Sequence, residues 1–257
     1  GQPVVGQLHL GDRLESLGVA ERTVAHQEDL LACGHQLRGD VVGGPHPVLA
    51  DPLHAWRALH EQQARVCEFL QTKKSVRIHV PATEAADASN LTIDISDRIW
   101  VNCAAGQNFP DGEVFTGPRG VDGVLNVTHP SVYKGKAVEG IRLQFHNGRV
   151  IEADARSNRS YLIDLLDQDS GARNVGELGI GTNYELRNFV RNAFFDEKIG
   201  GTFHLALGAG YPETGNSNES GLHWDLVSDL RQGGTIEADG EIIQRDGRFT
   251  RPDWPGN

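Results

Sequence analysis

The chain reads as an α+β protein with a β-rich core of mainly antiparallel or mixed sheet and a few packing helices. Three observations predict this. Short apolar–polar alternations recur between residues 75 and 155. Asn147-Gly148 and Asp239-Gly240 each lie between two such runs. Only a few segments carry apolar residues at helical spacing. Period-two alternation puts successive side chains on opposite faces of a strand. Asn-Gly or Asp-Gly between alternating runs is the strongest short-range hairpin signal.

Residues 1–50 are irregular, with breakers at Gly43-Gly44-Pro45 and Ala50-Asp51-Pro52. Asp51 suits a helix N-cap and Pro52 the first helical position. Leu53, Trp56, Leu59, Val66 and Leu70 then predict a helix to about Gln71. Strands are expected at Val76–Val80, Leu91–Ile95, Ile99–Val101 and Val124–Val127. A hairpin is expected from Ile141–Phe145 and Val150–Ala153. Helices are expected from Ser157 to about Asp167 and from Glu185 to Phe195. Strands resume at Phe203–Leu207 and Leu222–Leu226, and a last hairpin pairs Thr235–Ala238 with Glu241–Gln244.

The length of 257 residues suits one large domain, or one domain with part of a second. With 38% hydrophobic and 23% charged residues the chain is expected to fold. Lys plus Arg number 24 against 35 Asp plus Glu, a net charge of −11. That balance argues against nucleic acid as a partner, and against charge-driven binding to anionic membranes. No apolar run approaches the roughly 20 residues needed to span a bilayer, and no signal peptide is visible. The three cysteines, Cys33, Cys67 and Cys103, form no disulfide framework and no C-x-x-C pair. They suit a reducing compartment, so a cytoplasmic location is expected.

The chemistry concentrates downstream. In Leu222-His223-Trp224-Asp225-Leu226, alternation turns His223 and Asp225 to one face and the three apolar residues to the other. An imidazole and a carboxylate so placed can share a cation, although such a pair alone is more often simply hydrogen-bonded. His204 interrupts the apolar run Phe203–Leu207, where a lone histidine is more often a satisfied core residue. Tyr211 opens a polar, Gly- and Asn-rich loop, and its phenol could donate to a developing oxyanion or simply be half-buried. Glu113 is bracketed by turn residues, and Glu177 stands among glycines and small apolar residues. A buried carboxylate without a partner is expensive, so a metal, an arginine or protonation must answer for each. Two histidines and three carboxylates suit zinc, cobalt or manganese better than copper or an iron–sulfur cluster.

Five stretches then match, in order, one known family. They are Asn108-Phe-Pro-Asp-Gly-Glu-Val-Phe-Thr-Gly-Pro118, Gly176-Glu-Leu-Gly-Ile-Gly-Thr-Asn183, Asp196-Glu-Lys-Ile-Gly-Gly-Thr-Phe-His204, Gly208-Ala-Gly-Tyr-Pro-Glu213 and Asn218-Glu-Ser-Gly-Leu-His-Trp-Asp225. The chain resembles the thermophilic-aminopeptidase family of metallopeptidases, of the aminopeptidase T and aminopeptidase S type, from about residue 52 to about residue 248. The resemblance implies two divalent ions held by Glu113, Glu177, His204, His223 and Asp225, with Tyr211 as the catalytic tyrosine. It leaves open whether Glu113 or Glu177 bridges the ions or shuttles a proton. It implies release of N-terminal residues from peptides with a free N-terminus, and a homodimer enclosing the active site. Family members carry a complete α/β domain before the catalytic one. Residues 1–51 are read as a remnant of that region, and 52–257 as the catalytic domain.

Two other readings stand beside this one. A related group of ring-cleaving non-haem iron dioxygenases shares the fold, and would use His204, His223 and Asp225 as a two-histidine, one-carboxylate triad. Such a site has no need of Glu113 or Glu177. A truncated, inactive scaffold or binding module is the other.

Overall fold

The expected hairpins are present, and their turns show why. Asn147 and Gly148 have φ of 49° and 76°, and Asp239 and Gly240 have φ of 46° and 87°. Two successive residues at positive φ make the tight turn whose twist matches the flanking strands. Asp239 is also anchored: its carboxylate accepts the Ser75 and Lys74 backbone N–H groups at 2.9 and 3.0 Å. The structure, a computed structural model, describes residues 52–84, 86–104 and 110–257. The expected N-terminal region, its cap Asp51, and Asn108-Phe109 of the first matching stretch lie outside the described residues.

Among the described residues are helices α1 (Pro52–Gln71), α2 (Arg159–Leu166) and α3 (Ala193–Asp196). Strands β1 (Ser75–Val80), β2 (Ser89–Asp94), β5 (Gly120–Asn126), β8 (Arg142–His146), β9 (Arg149–Asp154), β13 (Thr235–Ala238), β14 (Glu241–Arg245) and β15 (Arg248–Phe249) form an eight-stranded sheet. Its order is β15-β14-β13-β1-β2-β5-β8-β9. A second sheet has the order β12-β11-β10-β4-β3. It is built from β3 (Val101–Cys103), β4 (Glu113–Thr116), β10 (Val175–Gly181), β11 (Thr202–Gly208) and β12 (His223–Asp229). A small hairpin joins β6 (Ser131–Tyr133) to β7 (Lys136–Val138). Every ladder in these sheets is antiparallel.

The two sheets differ in how they meet solvent. Along β1 the burial alternates, with Val76, Ile78 and Val80 inside and Arg77 and His79 outside. In contrast, β10 and β11 are buried at every position. One face of the five-stranded sheet carries Leu178, Ile180, Phe203, Leu205, Trp224 and Leu226, all in the hydrophobic core. Burial of each such side chain contributes about 1.5–3 kcal/mol. The other face carries charged residues, buried along β10 and β11 and partly open to water at His223 and Asp225 on β12.

Helix α1 packs on β3 and β4. Val66 and Leu70, four residues apart, are fully buried, as one apolar stripe of a helix requires. Gln63, on the same helix, is also fully buried. The two hydrogens of its Nε2 are shared among Asn102 Oδ1 at 2.7 Å, Glu113 O at 2.8 Å and Cys103 O at 2.9 Å. Its Oε1 accepts from Thr182 Oγ1 at 2.9 Å. One side chain thus ties the helix to β3, β4 and the end of β10.

Three expectations need correction. The helix expected from Glu185 to Phe195 is only α3, Ala193–Asp196. Arg191 has φ of 63°, which no right-handed helix accommodates. Instead the Asp196 carboxylate accepts the Val190 N–H at 2.8 Å, and Asn192 caps α3 through Phe194 N. The helix expected from Ser157 begins at Arg159, because Asn158 adopts the left-handed conformation. The strand expected at Ile99–Val101 begins at Val101 and runs on to Cys103.

Gln63→Leu would strand the Cys103 and Glu113 carbonyls and the Thr182 hydroxyl. It is expected to lower the unfolding free energy by about 2–4 kcal/mol in urea titrations. A loss under about 0.5 kcal/mol, the range of neutral surface changes, would show that the clamp does nothing.

Candidate metal centre

The register of the five-stranded sheet sets the site. Ala206 in β11 pairs with Glu177 on one side and Asp225 on the other, so the three lie in one row. His204, two residues earlier and therefore on the same face, pairs with Gly179 and Val227. Glu113 opens β4 opposite Gly181, and His223 opens β12 opposite Gly208. Glu113, Glu177, His204, His223 and Asp225 thus come together on one sheet face, from four strands.

Glycines provide the room. A Cβ on Gly179 would lie 2.1 Å from His204 Cε1 and 2.3 Å from its Nε2, so the imidazole lies directly over the Gly179 backbone. A bulge separates Val175 from Glu177, the kind of irregularity that re-aims a side chain beside a site. The intervening Gly176 packs so closely on Ala209 that a Cβ would lie 2.2 Å from its carbonyl oxygen.

The carboxylates and imidazoles interlock. His204 Nε2 is 3.2 Å from Glu177 Oε1 and 3.6 Å from Glu113 Oε2. His223 Nε2 is 3.5 Å from both Glu177 Oε2 and Asp225 Oδ1. Glu177 therefore presents one oxygen to each imidazole. On its far side, His223 Nδ1 is 2.9 Å from the Ala209 carbonyl. That bond places the ring proton on Nδ1 and leaves Nε2 free to ligate.

Two residues that sequence reasoning missed complete the cluster. Glu197 and Lys198 follow α3, and both are buried. Lys198 Nζ bonds to Glu113 Oε1 and lies 2.6 Å from Glu197 Oε1. Three groups of ligand atoms, each within 4.8 Å of one another, result: Glu113, Glu177 and His204; Glu177, His223 and Asp225; Glu197, His204 and Asp225. A Glu-Lys pair reads as an ordinary solvated pair. The available signal was Gly200-Gly201, one residue beyond it, where the chain turns back against the end of β10.

Burial pushes Glu113 and Glu177 above the usual carboxylate range, and pushes Glu197 to about 6. Burial would lower the imidazoles, but their carboxylate neighbours outweigh it. Glu177 foremost, with Glu113 and Glu197, takes His204 to about 9. Asp225 foremost takes His223 to about 10. Asp225 itself, though buried, is held well below the usual range by His223. Four carboxylates around a single lysine thus demand positive charge. A divalent cation bound here would supply it, and would be held by the neutral form of the imidazoles, since only the neutral ring ligates. The donor set fits such a cation at one atom in particular. Glu113 Oε2 is buried and has no hydrogen-bond partner.

Tyr211 stands at the rim, 36% exposed. Its ring centroid lies 5.2 Å from that of Phe115 and 5.4 Å from that of His223. Burial, and then the Glu177 and Asp225 charges, push its phenol up, so it stays protonated and a donor. Beyond Asp225 a depression continues between His129, Val132, Phe189, Ala193 and Val227.

A β-rich fold that gathers carboxylates and imidazoles on one sheet face suits a metal-binding protein. The chain belongs to the thermophilic metalloprotease family (M29), whose model matches residues 47–249. It is 32% identical over 232 residues to aminopeptidase 2 of Geobacillus stearothermophilus, covering 77% of this chain and 55% of that protein. The chain spans about half the length of the relatives it matches. Its fold is similar to that of wild-type AmpT from Thermus thermophilus, with a TM-score of 0.66 and 24% identity over 78% of this chain and 56% of that one. It is also similar to 2,5-dihydroxypyridine dioxygenase from Pseudomonas putida KT2440, with a TM-score of 0.61 and 15% identity over 76% and 60% of the two chains.

Gly179→Ala would drive a methyl group into the His204 ring. Elemental analysis is expected to show the variant without the bound metal of the parent. Parent-like metal content in Gly179→Ala would show that the close approach is not needed.

Proposed function

We propose that the chain is the catalytic part of a two-metal aminopeptidase that releases N-terminal amino acids from peptides. The observation that carries the proposal is the division of Glu177 between His204 and His223, one carboxylate oxygen to each. A carboxylate so shared is suited to bridge two cations. Glu113 and His204, with Glu197 beside them, would hold one. His223 and Asp225 would hold the other. The ligand chemistry suits zinc, cobalt or manganese.

Two such ions supply an activated water and polarise the scissile carbonyl. The chain supplies the rest. Tyr211, protonated at the rim, donates a hydrogen bond to the oxyanion that develops on that carbonyl oxygen. A carboxylate of the site would carry the proton from the attacking water to the leaving amine. A metal or an acidic side chain of the site would hold the free α-amino group of the substrate, which limits cleavage to the first residue. The family resemblance implies a homodimer, and three cysteines without a disulfide framework suit the cytoplasm. Among the described residues no helix is long and apolar enough to cross a membrane.

One observation favours a second reading. The fold is shared with a dioxygenase, and His204, His223 and Asp225 supply the residue types of a two-histidine, one-carboxylate iron site. Against it, Glu113 and Glu177 both face the imidazoles, which that site does not require. One iron per chain would favour the dioxygenase. A chain that takes up no metal would favour an inactive scaffold.

Metal-loaded protein is expected to hydrolyse a chromogenic leucine anilide. Chelator should abolish the activity. Glu177→Gln should lower it by more than the ~10–100-fold typical of residues that only support ligands. Activity indifferent to both treatments would reject the scheme.

A further inference from the structure

We propose that Lys198 is a positioning residue for the metal centre: its ammonium takes Oε1 of both Glu113 and Glu197, and so leaves each carboxylate a single oxygen for cations. The proposal rests on the metal-centre reading above.

The two oxygens of Glu113 have different fates. Oε1 bonds to Lys198 Nζ. Oε2 has no hydrogen-bond partner and lies 3.6 Å from His204 Nε2, inside the cluster. Glu197 Oε1 is held by the same ammonium at 2.6 Å. A carboxylate free at both oxygens can ligate a divalent cation through one or both. One whose first oxygen is committed to a charge-assisted hydrogen bond ligates through the second. Glu113 and Glu197 belong to different ligand groups that share His204. By gripping both, Lys198 also sets the spacing across the cluster.

The backbone makes this grip rigid. The Lys198 carbonyl accepts Asn183 N–H at 3.0 Å, and Gly200 N–H bonds back to the Asn183 carbonyl at 2.8 Å. Asn183 Nδ2 reaches the Asp111 carbonyl at 2.8 Å, and Thr182 N–H reaches the Gly112 carbonyl at 2.9 Å. The segments before Glu113, after β10 and around Lys198 are therefore laced together. Gly181 permits it, since a Cβ there would lie 2.1 Å from the Ile199 carbonyl oxygen. The Lys198 side chain is 1% exposed. The Phe194 ring centroid, 5.7 Å from Nζ, favours the charge without offering an acceptor in the ring plane. A compact ammonium fits this space and reaches two separate carboxylates, where a planar guanidinium would need a wider one.

Charge alone predicts the opposite of positioning. A buried ammonium repels metal cations, so a lysine that served only as a counter-charge would, on removal, let them bind more tightly. Lys198→Met keeps the stem and removes the donor. Cobalt(II) affinity, measured by competition with a chelator, is expected to fall about tenfold or more, within the range of losses for residues that orient ligands. The visible spectrum of the bound cobalt should change as Glu113 and Glu197 gain a second free oxygen. Equal or tighter binding, or an unchanged spectrum, overturns the proposal. Melting of the metal-free variant reports whether it folds. If it does not, a crystal structure of the cobalt-loaded parent decides: Lys198 on both Oε1 atoms and cobalt on Glu113 Oε2 alone is expected, and ligation through both Glu113 oxygens overturns it. No cobalt at these residues in the parent would overturn the metal-centre reading, and this proposal with it.

Discussion

Burial of like charge on one face of the five-stranded sheet is the constraint on which the rest of the structure turns. Glu113, Glu177 and Glu197 are buried and Asp225 nearly so, yet among the described residues Lys198 is the one lysine bonded within the cluster. Isolated buried charges are too costly to keep without partners. The imidazoles answer by drawing protons, and Glu113, Glu177 and Glu197 by shifting upward. Neighbouring features serve this arrangement. Gly179 yields its side-chain volume to the His204 ring, the Gly176 bulge adjusts β10, and the Ala209 carbonyl turns His223 toward the acids.

The two faces of that sheet divide the work. Leu205 and Leu226 anchor the strands in the core, while His204 and Asp225 one residue away build the site. Because alternation is a property of the strand itself, stability and chemistry are encoded in the same few residues without competing for positions. The same scaffold is found in proteins named for quite different reactions. Fold therefore decides where a site can be, and the donor set decides what it is.

Much of this was legible in the amino-acid sequence, where the signal is local. Leu222, Trp224 and Leu226 are buried as alternation requires, and His223 and Asp225 share the opposite face. Both hairpin turns lie at their Asn-Gly and Asp-Gly pairs. Strand β10 was not legible, because Gly176, Gly179 and Gly181 erase the apolar alternation that marks a strand. Those glycines are there for close contacts that only the folded chain reveals. Glu197 and Lys198 were opaque for a related reason: nothing local distinguishes an ion pair bound for the interior from one bound for water. The convergence of the five ligand candidates is long-range, and only the resemblance to a family anticipated it. The helix expected after Glu185 failed because Asp196 and Asn192 offer the backbone better partners than helical carbonyls do.

The order of the strands along the chain bears on how such a centre comes into being. Glu113 and Asp225 are more than a hundred residues apart, and β11, which lies between β10 and β12, carries His204. A nascent chain that has emerged only through β10 holds two of the acids and neither imidazole. The cluster therefore assembles only after β11 and β12 have followed β10. Until β11 and β12 dock, the growing polypeptide carries its acids in water, where they cost nothing.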